Sequence, residues 1–283
     1  MSSLQDKLKK IAKPLKLPDG SPYLSLSLEK TSALADEFGI GKSSVETTAL
    51  GEEITPERYA RNMKSFSFED QMKLLNANIG VVGLGGLGGV VCEILARLGI
   101  GKLTLIDGDA FQDSNLNRQF LCTEEGMGGS KAGAAAGRIK KINSSVAVQA
   151  YDEFINEQSV LEQIRSCDAV ADCLDTIHTR FILERAVKTA GIPLVSGAVS
   201  GSWGQATTIF PEDTGFQSIY GNRATIPDKG SEAVMGCLAF VVTLIASIES
   251  SEIVKVILKK GALLRNRLFV ADLTDNIFEI FHI

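Results

Sequence analysis

The stretch that decides the fold is Gly83-Leu84-Gly85-Gly86-Leu87-Gly88-Gly89, because of what stands on either side of it. An apolar strand is predicted over residues 78–82 before it, and a helix over residues 87–98 after it. A second apolar run, residues 103–106, leads into Asp107, which lies 19 residues beyond the sixth residue of the stretch. This order predicts a nucleotide-binding βαβ unit, in which glycine backbone and a helix N-terminus approach phosphate and the acid holds a ribose hydroxyl.

The composition narrows the class of protein. The chain has 283 residues, 45% of them hydrophobic, and a net charge of −5, which allows a sizeable core and argues against a nucleic-acid-binding protein. The five cysteines include no C-x-x-C pair, so we expect them to be reduced thiols. No N-terminal apolar stretch resembles a signal peptide, so we expect a cytoplasmic protein. The longest apolar run, residues 237–248, is too short to span a bilayer, so no membrane association is expected.

The pattern downstream predicts an α/β fold: a Rossmann-like, mostly parallel sheet with helices on both faces, an antiparallel C-terminal extension and a small helical N-terminal segment. We place the main domain at residues 57–283. Its predicted helices cover residues 56–75, 87–98, 131–142, 157–165, 178–190 and 236–259. Its predicted strands cover residues 78–82, 103–107, 147–151, 169–174, 193–197 and 204–210, followed by a long loop over 211–232 and a hairpin of 268–271 with 277–281.

Residues 1–56 form the separate N-terminal segment, with a turn at residues 17–22 and a helical stretch from residue 28 to 49 that Gly39 interrupts. The spacing around Gly39 is that of a helix-turn-helix. Two interpretations follow: a helical hairpin packed on the main domain, or a DNA-binding module. The first is favoured, since the second helix carries Lys42 and Glu46 and no arginine.

Charged residues after Asp107 separate ATP chemistry from hydride transfer. The polar loop of residues 114–119 contains Arg118, and Lys131 opens the next helix, so two cations are available to phosphates. Asp175 follows a later strand, at the sheet edge where open α/β sheets bind ligands, and is a candidate Mg²⁺ ligand. A hydride-transfer site needs none of these groups, whereas a triphosphate attacked at phosphorus needs them all.

In these residues the chain resembles the MoeB/ThiF/HesA adenylyltransferases, the bacterial relatives of ubiquitin-activating enzymes. The resemblance covers about residues 57–260. Its motifs are the glycine stretch, Arg58-Tyr59-Ala60-Arg61-Asn62, Asp107-x-Asp109, Ser114-Asn115-Leu116-Asn117-Arg118-Gln119, Lys131 and Asp172-Cys173-Leu174-Asp175.

The resemblance implies that a ubiquitin-like sulfur-carrier protein ending in Gly-Gly is adenylated at its C-terminal carboxylate, with release of pyrophosphate. Sulfur incorporation into molybdopterin, thiamine or a related product then follows. It also implies ATP and Mg²⁺ as cofactors and a homodimer. The implied nucleotide-binding residues are Gly83, Gly85, Gly86, Gly88, Asp107, Asp109, Asn115, Arg118, Gln119 and Lys131. The implied catalytic residues are Arg118, Lys131, Asp175 as the Mg²⁺ ligand, and Arg61, which would reach the neighbouring subunit's ATP site.

Several of these residues also have simple structural interpretations. Asp109 is able to cap the following loop, Asp172 to end a strand, and Arg58 to pack or lie on the surface. Arg180 is interpreted as a helix-face residue. As a set, however, Asp107, Arg118, Lys131 and Asp175 are hard to explain structurally.

The chain departs from the family pattern in its cysteines. Many members carry two C-x-x-C pairs for zinc, which are missing here, so no zinc is expected. Some use a cysteine in the loop that crosses the active site. Here residues 211–236 contain none, and Cys237 at its end is interpreted chiefly as a packing residue. The alternative function is an NAD- or FAD-dependent oxidoreductase that shares the glycine loop.

Overall fold

The computed structural model describes residues 3–221 and 232–283. Within these ranges an eight-stranded sheet forms the main body and a three-stranded sheet precedes it. The N-terminal segment contains, in chain order, α1 (Leu4–Ile11), β1 (Lys13–Lys16), β2 (Pro22–Leu26), α2 (Leu28–Phe38), α3 (Lys42–Gly51) and β3 (Ile54–Pro56). The main body contains α4 (Phe68–Asn76), β4 (Asn78–Val82), α5 (Gly86–Leu98), β5 (Lys102–Ile106), α6 (Lys131–Ile142), β6 (Ala147–Tyr151), α7 (Ser159–Ile164), β7 (Ala169–Asp172), α8 (Ile177–Ala190), β8 (Leu194–Ser200), β9 (Trp203–Ile209), α9 (Phe216–Tyr220), α10 (Glu232–Met235), α11 (Ala239–Leu258), β10 (Arg267–Asp272) and β11 (Ile277–His282).

The main sheet has the strand order β11-β10-β9-β8-β7-β4-β5-β6. Strands β8, β7, β4, β5 and β6 run parallel, and β9, β10 and β11 extend the sheet antiparallel. The predicted Rossmann-like class and its antiparallel C-terminal extension are therefore confirmed. Because β4 lies at the centre of the parallel part, the carboxyl ends of β4, β5 and β7 meet at one edge of the sheet.

Helices cover both faces, as predicted. Val81 belongs to a core shared with α5, α6 and α11, whereas its neighbour Val82 belongs to a second core shared with α7 and α8. Burial on both faces explains why β4 is an unbroken apolar run rather than an alternating one. Among the described helices, none combines the length and apolar character that crossing a bilayer demands.

The N-terminal segment differs from the helical prediction because it also contains a sheet. The predicted turn at residues 17–22 joins β1 and β2 as an antiparallel hairpin, and β3 pairs with β2 in parallel. The predicted helical stretch is present as α2 and α3, and Gly39 ends α2 in the left-handed conformation with φ of +63°. Strand β1 was missed because it is exposed along its whole length and therefore carries no alternating apolar pattern.

The predicted helix over residues 56–75 is wrong in its first half. Residues 57–59 form a short 3₁₀ turn, and α4 begins only at Phe68. The reason is a capping box: the Ser67 side chain accepts a hydrogen bond from the Asp70 amide, and Asp70 accepts one from the Ser67 amide. The predicted loop over 211–232 contains the short helix α9, and its residues 222–231 lie outside the described residues.

Candidate active site

The glycine stretch forms a tight turn between β4 and α5. Gly83 has φ of +86°, and a Cβ atom there would lie 2.7 Å from the carbonyl oxygen of Cys173. A Cβ atom at Gly88 would lie only 1.8 Å from the carbonyl oxygen of Gly83. These two glycines therefore let the turn approach β7 and let α5 begin directly at Gly86, with its first amides free for an anion.

The side chain of Asp107 is hydrogen-bonded to this turn. Its two carboxylate oxygens accept hydrogen bonds from the amides of Leu84, at 2.6 Å, and Asp109, at 2.8 Å. Burial raises the pKa of Asp107, while these amides and the charge of Lys131 oppose that rise. The side chain of Asp109 accepts from Lys131 Nζ at 2.8 Å, so it holds the buried lysine instead of capping the loop.

Arg118 and Gln119 lie in the loop between β5 and α6. The Arg118 guanidinium donates to the Ser114 carbonyl and to Asn117 Oδ1, both at 2.9 Å. Gln119 is buried against Gly85, and its Oε1 has no hydrogen-bond partner among the described residues. Because a buried acceptor without a partner is unfavourable, this oxygen is a place for a ligand hydroxyl or amine.

Asp175 stands just beyond the carboxyl end of β7. Its side chain is exposed and accepts a hydrogen bond from the Thr176 hydroxyl at 3.1 Å. A carboxylate of this kind is available to a hard divalent cation, which takes one or two carboxylates together with phosphate oxygens. The residues present therefore fit Mg²⁺ bound with a nucleotide.

Below Asp175 lies a buried network that the sequence did not reveal. Arg180 is 3% exposed, and its guanidinium donates to Asp172 Oδ2 at 2.8 Å and to Ser196 Oγ at 3.0 Å. It also donates to the carbonyl oxygens of Gly197, at 2.9 Å, and Leu174. The helix-face interpretation of Arg180 is therefore wrong. One sequence signal was available: an aspartate ends β7 and an arginine follows in the first turn of α8.

Glu249 of α11 closes this network from the other side of β8. Its carboxyl lies against Gly197, where a Cβ atom would come within 2.5 Å of it, and 3.7 Å from Cys173 Sγ. Burial, followed by the negative charge of Asp172, raises the pKa of Glu249 well above its ordinary value. Both effects favour the neutral form of the Glu249 carboxyl.

The glycine turn and the loop residues described above line one cavity of about 1120 Å³, to which Arg180 of the buried network also contributes. The predicted residues in its wall are Gly83, Gly85, Gly86, Asp107, Asp109, Arg118, Gln119, Lys131 and Asp175. Residues that the sequence did not suggest form the opposite wall, among them Trp203, Gln205, Tyr220 and Val270. Ligand cavities are commonly about 300–1,000 Å³, so this one has room for a nucleotide and part of a second substrate.

Three predicted site residues do not line this cavity. Gly88 serves the close packing of α5 against the turn. Asn115 is buried and its Oδ1 accepts from the Gln112 amide at 3.0 Å, which shapes the loop that carries Arg118. Arg61 is exposed on the turn that precedes α4.

Cys237 lies in the cavity wall at the start of α11. It is half-buried, and its Sγ lies 3.7 Å from the Val199 carbonyl oxygen. Cys173, deeper in the wall, has a pKa raised well above its ordinary value by burial. A buried thiol of this kind is a poor nucleophile, so Cys237 is the more plausible nucleophile of the two.

The helix-turn-helix segment has its second helix packed on the main body. Glu46 of α3 is buried and pairs with Arg58 at 3.4 Å, and Lys42 donates to Ser144 at 3.1 Å. Arg58 also donates to Asn143, which makes it a packing arginine. A recognition helix needs a free basic face, and α3 does not offer one.

Residues 59–283 match the model of the ThiF family. The chain belongs to the ThiF family. It is similar to the SAMP-activating enzyme E1 of Haloferax volcanii, with 33% identity over 228 residues, covering 79% of this chain and 83% of that protein. It is also similar to the adenylyltransferase and sulfurtransferase MOCS3 of Drosophila persimilis, with 32% identity over 246 residues. That match covers 84% of this chain but 53% of MOCS3, so the chain spans about half the length of this relative.

Solved structures share the ThiF-family fold. Escherichia coli MccB with ATP superposes with a TM-score of 0.69 at 23% identity, covering 80% of this chain and 71% of that one. PaaA gives a TM-score of 0.66 at 22% identity, covering 80% of this chain and 82% of that one. At these identities the likeness concerns the fold alone.

Proposed function

We propose that this protein uses ATP to adenylate the C-terminal carboxylate of a ubiquitin-like sulfur-carrier protein ending in Gly-Gly, giving an acyl-adenylate and pyrophosphate. The observation that carries the proposal is the shared cavity of the glycine turn, two cations and the exposed carboxylate of Asp175. Membership in the ThiF family supports it, as do relatives named a SAMP-activating enzyme and an adenylyltransferase and sulfurtransferase.

The nucleotide would lie across the carboxyl edge of the sheet. Asp107 would accept a ribose hydroxyl, and the amides at the start of α5 would face the phosphates, near Gly83, Gly85 and Gly86. Arg118 and Lys131 would bind phosphate oxygens. Asp109 already orients Lys131, and Gln119 would use its unpaired acceptor toward the ligand. Asn115 supports this half of the site through the loop it shapes.

The reaction is a substitution at the α-phosphorus. A carboxylate oxygen of the carrier forms a bond to phosphorus, the bond from that phosphorus to the bridging oxygen breaks, and pyrophosphate leaves with the electron pair. The carrier's carboxyl group is already ionised near pH 7, so no strong general base is needed. Catalysis is then positioning and charge neutralisation by Arg118 and Lys131.

Asp175 would hold Mg²⁺ beside the phosphates. When bound, the cation neutralises phosphate charge and stabilises the leaving pyrophosphate. We also infer that the protein needs no zinc, because it lacks the paired cysteines of its zinc-binding relatives. Metal analysis of purified protein tests this, and one tightly bound zinc per chain would contradict it.

The second substrate would enter past the wall formed by Trp203, Tyr220 and Val270. The product pathway, whether for molybdopterin, thiamine or a related sulfur compound, is part of the proposal. So are a cytoplasmic location and a homodimer in which Arg61 acts at the partner's site. Sedimentation velocity measures the oligomeric state, and a monomer with full activity would exclude that role of Arg61.

The test is ATP–pyrophosphate exchange with Mg²⁺, run with and without each small Gly-Gly-ending protein of the same organism. Exchange that requires one carrier is expected. Lys131→Met should lower it by about 10²-fold or more, as loss of a charge-stabilising donor does elsewhere. Lys140→Met, an exposed lysine on the same helix α6, is the matched control and should leave the rate unchanged.

The alternative, a dinucleotide-dependent oxidoreductase, makes the opposite prediction. Such an enzyme would bind NAD(H) or flavin, would show no exchange with any carrier, and would tolerate Lys131→Met in its hydride chemistry. That combination of results would overturn the proposed function.

A further inference from the structure

The loop that carries Asp175 is short and is held at one residue, Leu174. It runs from the end of β7 at Asp172 to the start of α8 at Ile177. The Leu174 amide donates to Asp172 Oδ1 at 3.2 Å, and the Leu174 carbonyl oxygen accepts from Arg180. Both polar groups of Leu174 are therefore fixed from below, one residue before Asp175.

Arg180 links the carbonyl group of Leu174 to the floor of the cavity. The same guanidinium contacts Asp172 on β7, and Ser196 and Gly197 on β8. The Ser196 hydroxyl in turn donates to Asp172 Oδ2 at 2.7 Å. The loop is thus tied to two neighbouring strands of the central sheet, which are among the most rigid parts of a fold.

A fully buried ion pair is a costly way to gain stability alone, since apolar residues of similar volume often serve as well. The planar guanidinium, however, presents several donors in a fixed fork, and here they reach four oxygen atoms on three chain segments. A lysine ammonium is able to keep the contact with Asp172 but is a compact point charge that lacks this geometry. The arrangement is therefore suited to holding the loop in place.

We propose that Arg180 is a positioning residue that fixes the loop carrying Asp175, and through it the cation site of the cavity. This inference rests on the proposed function for the identity of the cation. Its structural half, the ordering of residues 173–177 by Arg180, stands independently. In metal sites elsewhere, loss of the groups that orient a ligand lowers metal affinity by about 10–100-fold.

The test compares Arg180→Lys with Arg185→Lys, an exposed arginine of the same helix α8 paired with Glu157. Two readouts are measured on the full chain. One is amide hydrogen exchange of the peptide covering residues 173–177. The other is the Mg²⁺ concentration for half-maximal ATP–pyrophosphate exchange, with the KM for ATP measured separately at saturating Mg²⁺.

Arg180→Lys is expected to speed amide exchange in residues 173–177 and to raise the Mg²⁺ requirement about 10-fold or more, with the KM for ATP within about 2-fold of the original. Arg185→Lys should change neither readout. If Arg180→Lys fails to fold, the double variant Asp172→Asn/Arg180→Gln removes both charges of the pair and is expected to show the same two effects.

Unchanged amide exchange in residues 173–177 would overturn the inference, as would an unchanged Mg²⁺ requirement in an active variant. Failure of the proposed function looks different, because the unsubstituted protein would then show no pyrophosphate exchange with any carrier. In that case the amide exchange data alone decide whether Arg180 orders the loop.

Discussion

Gly88→Ala tests whether the glycine turn depends on close packing, a role separate from ligand contact. The methyl group would arrive 1.8 Å from the carbonyl oxygen of Gly83, and Cβ atoms in proteins essentially never come closer than 3.0 Å to such an atom. The obstacle is backbone and belongs to a turn that is itself pressed against Cys173. The N-terminal end of α5 must therefore move away from the turn.

The expected cost follows from two opposing effects. Overpacking of a tight site costs about 1–3 kcal/mol, and a backbone obstacle places this case near the upper end. Alanine gains about 0.5–1 kcal/mol over glycine within a helix. The net loss in the free energy of unfolding is thus about 2 kcal/mol. With an unfolding entropy of about 2.1 cal/mol/K per residue, this lowers Tm by about 3–4 °C for a chain of this size.

Gly137→Ala is the matched control. Gly137 lies exposed in the middle of α6, and among the described residues nothing lies within 4 Å of a Cβ atom there. This variant should gain about 0.5–1 kcal/mol by helix propensity alone. Urea unfolding and scanning calorimetry measure both changes. The reasoning is refuted if Gly88→Ala matches or exceeds the stability of the unsubstituted protein, or if the two variants shift in the same direction.

Two further predictions concern the cavity wall. Glu249→Gln should match the original protein about one pH unit or more below the ordinary glutamate pKa of 4.5, where the carboxyl is protonated in both the folded and the unfolded state. As pH rises, the variant should become relatively more stable. Because the pKa of Glu249 is raised in the folded state, the free energy of unfolding of the original protein falls by about 1.4 kcal/mol per pH unit until that pKa is reached. Equal urea midpoints for the two proteins at pH 8 would contradict this reasoning. Cys237→Ser should leave ATP–pyrophosphate exchange unchanged, and loss of sulfur transfer with exchange intact would assign Cys237 a chemical role beyond packing.

The main sheet was predictable because its signals are local and repeated. Each parallel strand is a short apolar run, and β4 is followed at once by the glycine turn and an apolar helix, so strand, turn and helix were found together. The hairpin of β10 and β11 was predicted from two such runs separated by polar residues. In the N-terminal segment the strand β1 has no buried side and offered no such pattern.

The helix boundary near Ser67 shows a different kind of failure. The predicted helix extended back to residue 56, whereas Ser67 and Asp70 form a capping box that was readable in the sequence. Upstream of it, the turn at residues 57–59 is held by tertiary contacts: Glu57 accepts from the hydroxyl of Tyr23 at 2.9 Å, and Tyr59 accepts from Asn143 at 2.9 Å. Contacts between residues so distant in the chain override local propensity.

The same distinction separates the site residues that were predicted from those that were not. Asp107, Lys131 and Asp175 follow strands or open helices, and such positions reach the carboxyl edge of a parallel sheet whatever the details of packing. The role of Arg180 depends on how α8 packs against β7 and β8, and no local sequence pattern predicts that packing. Buried charges of this kind are expected where a fold must hold a loop in one position, and the loop that Arg180 holds is the one that carries Asp175.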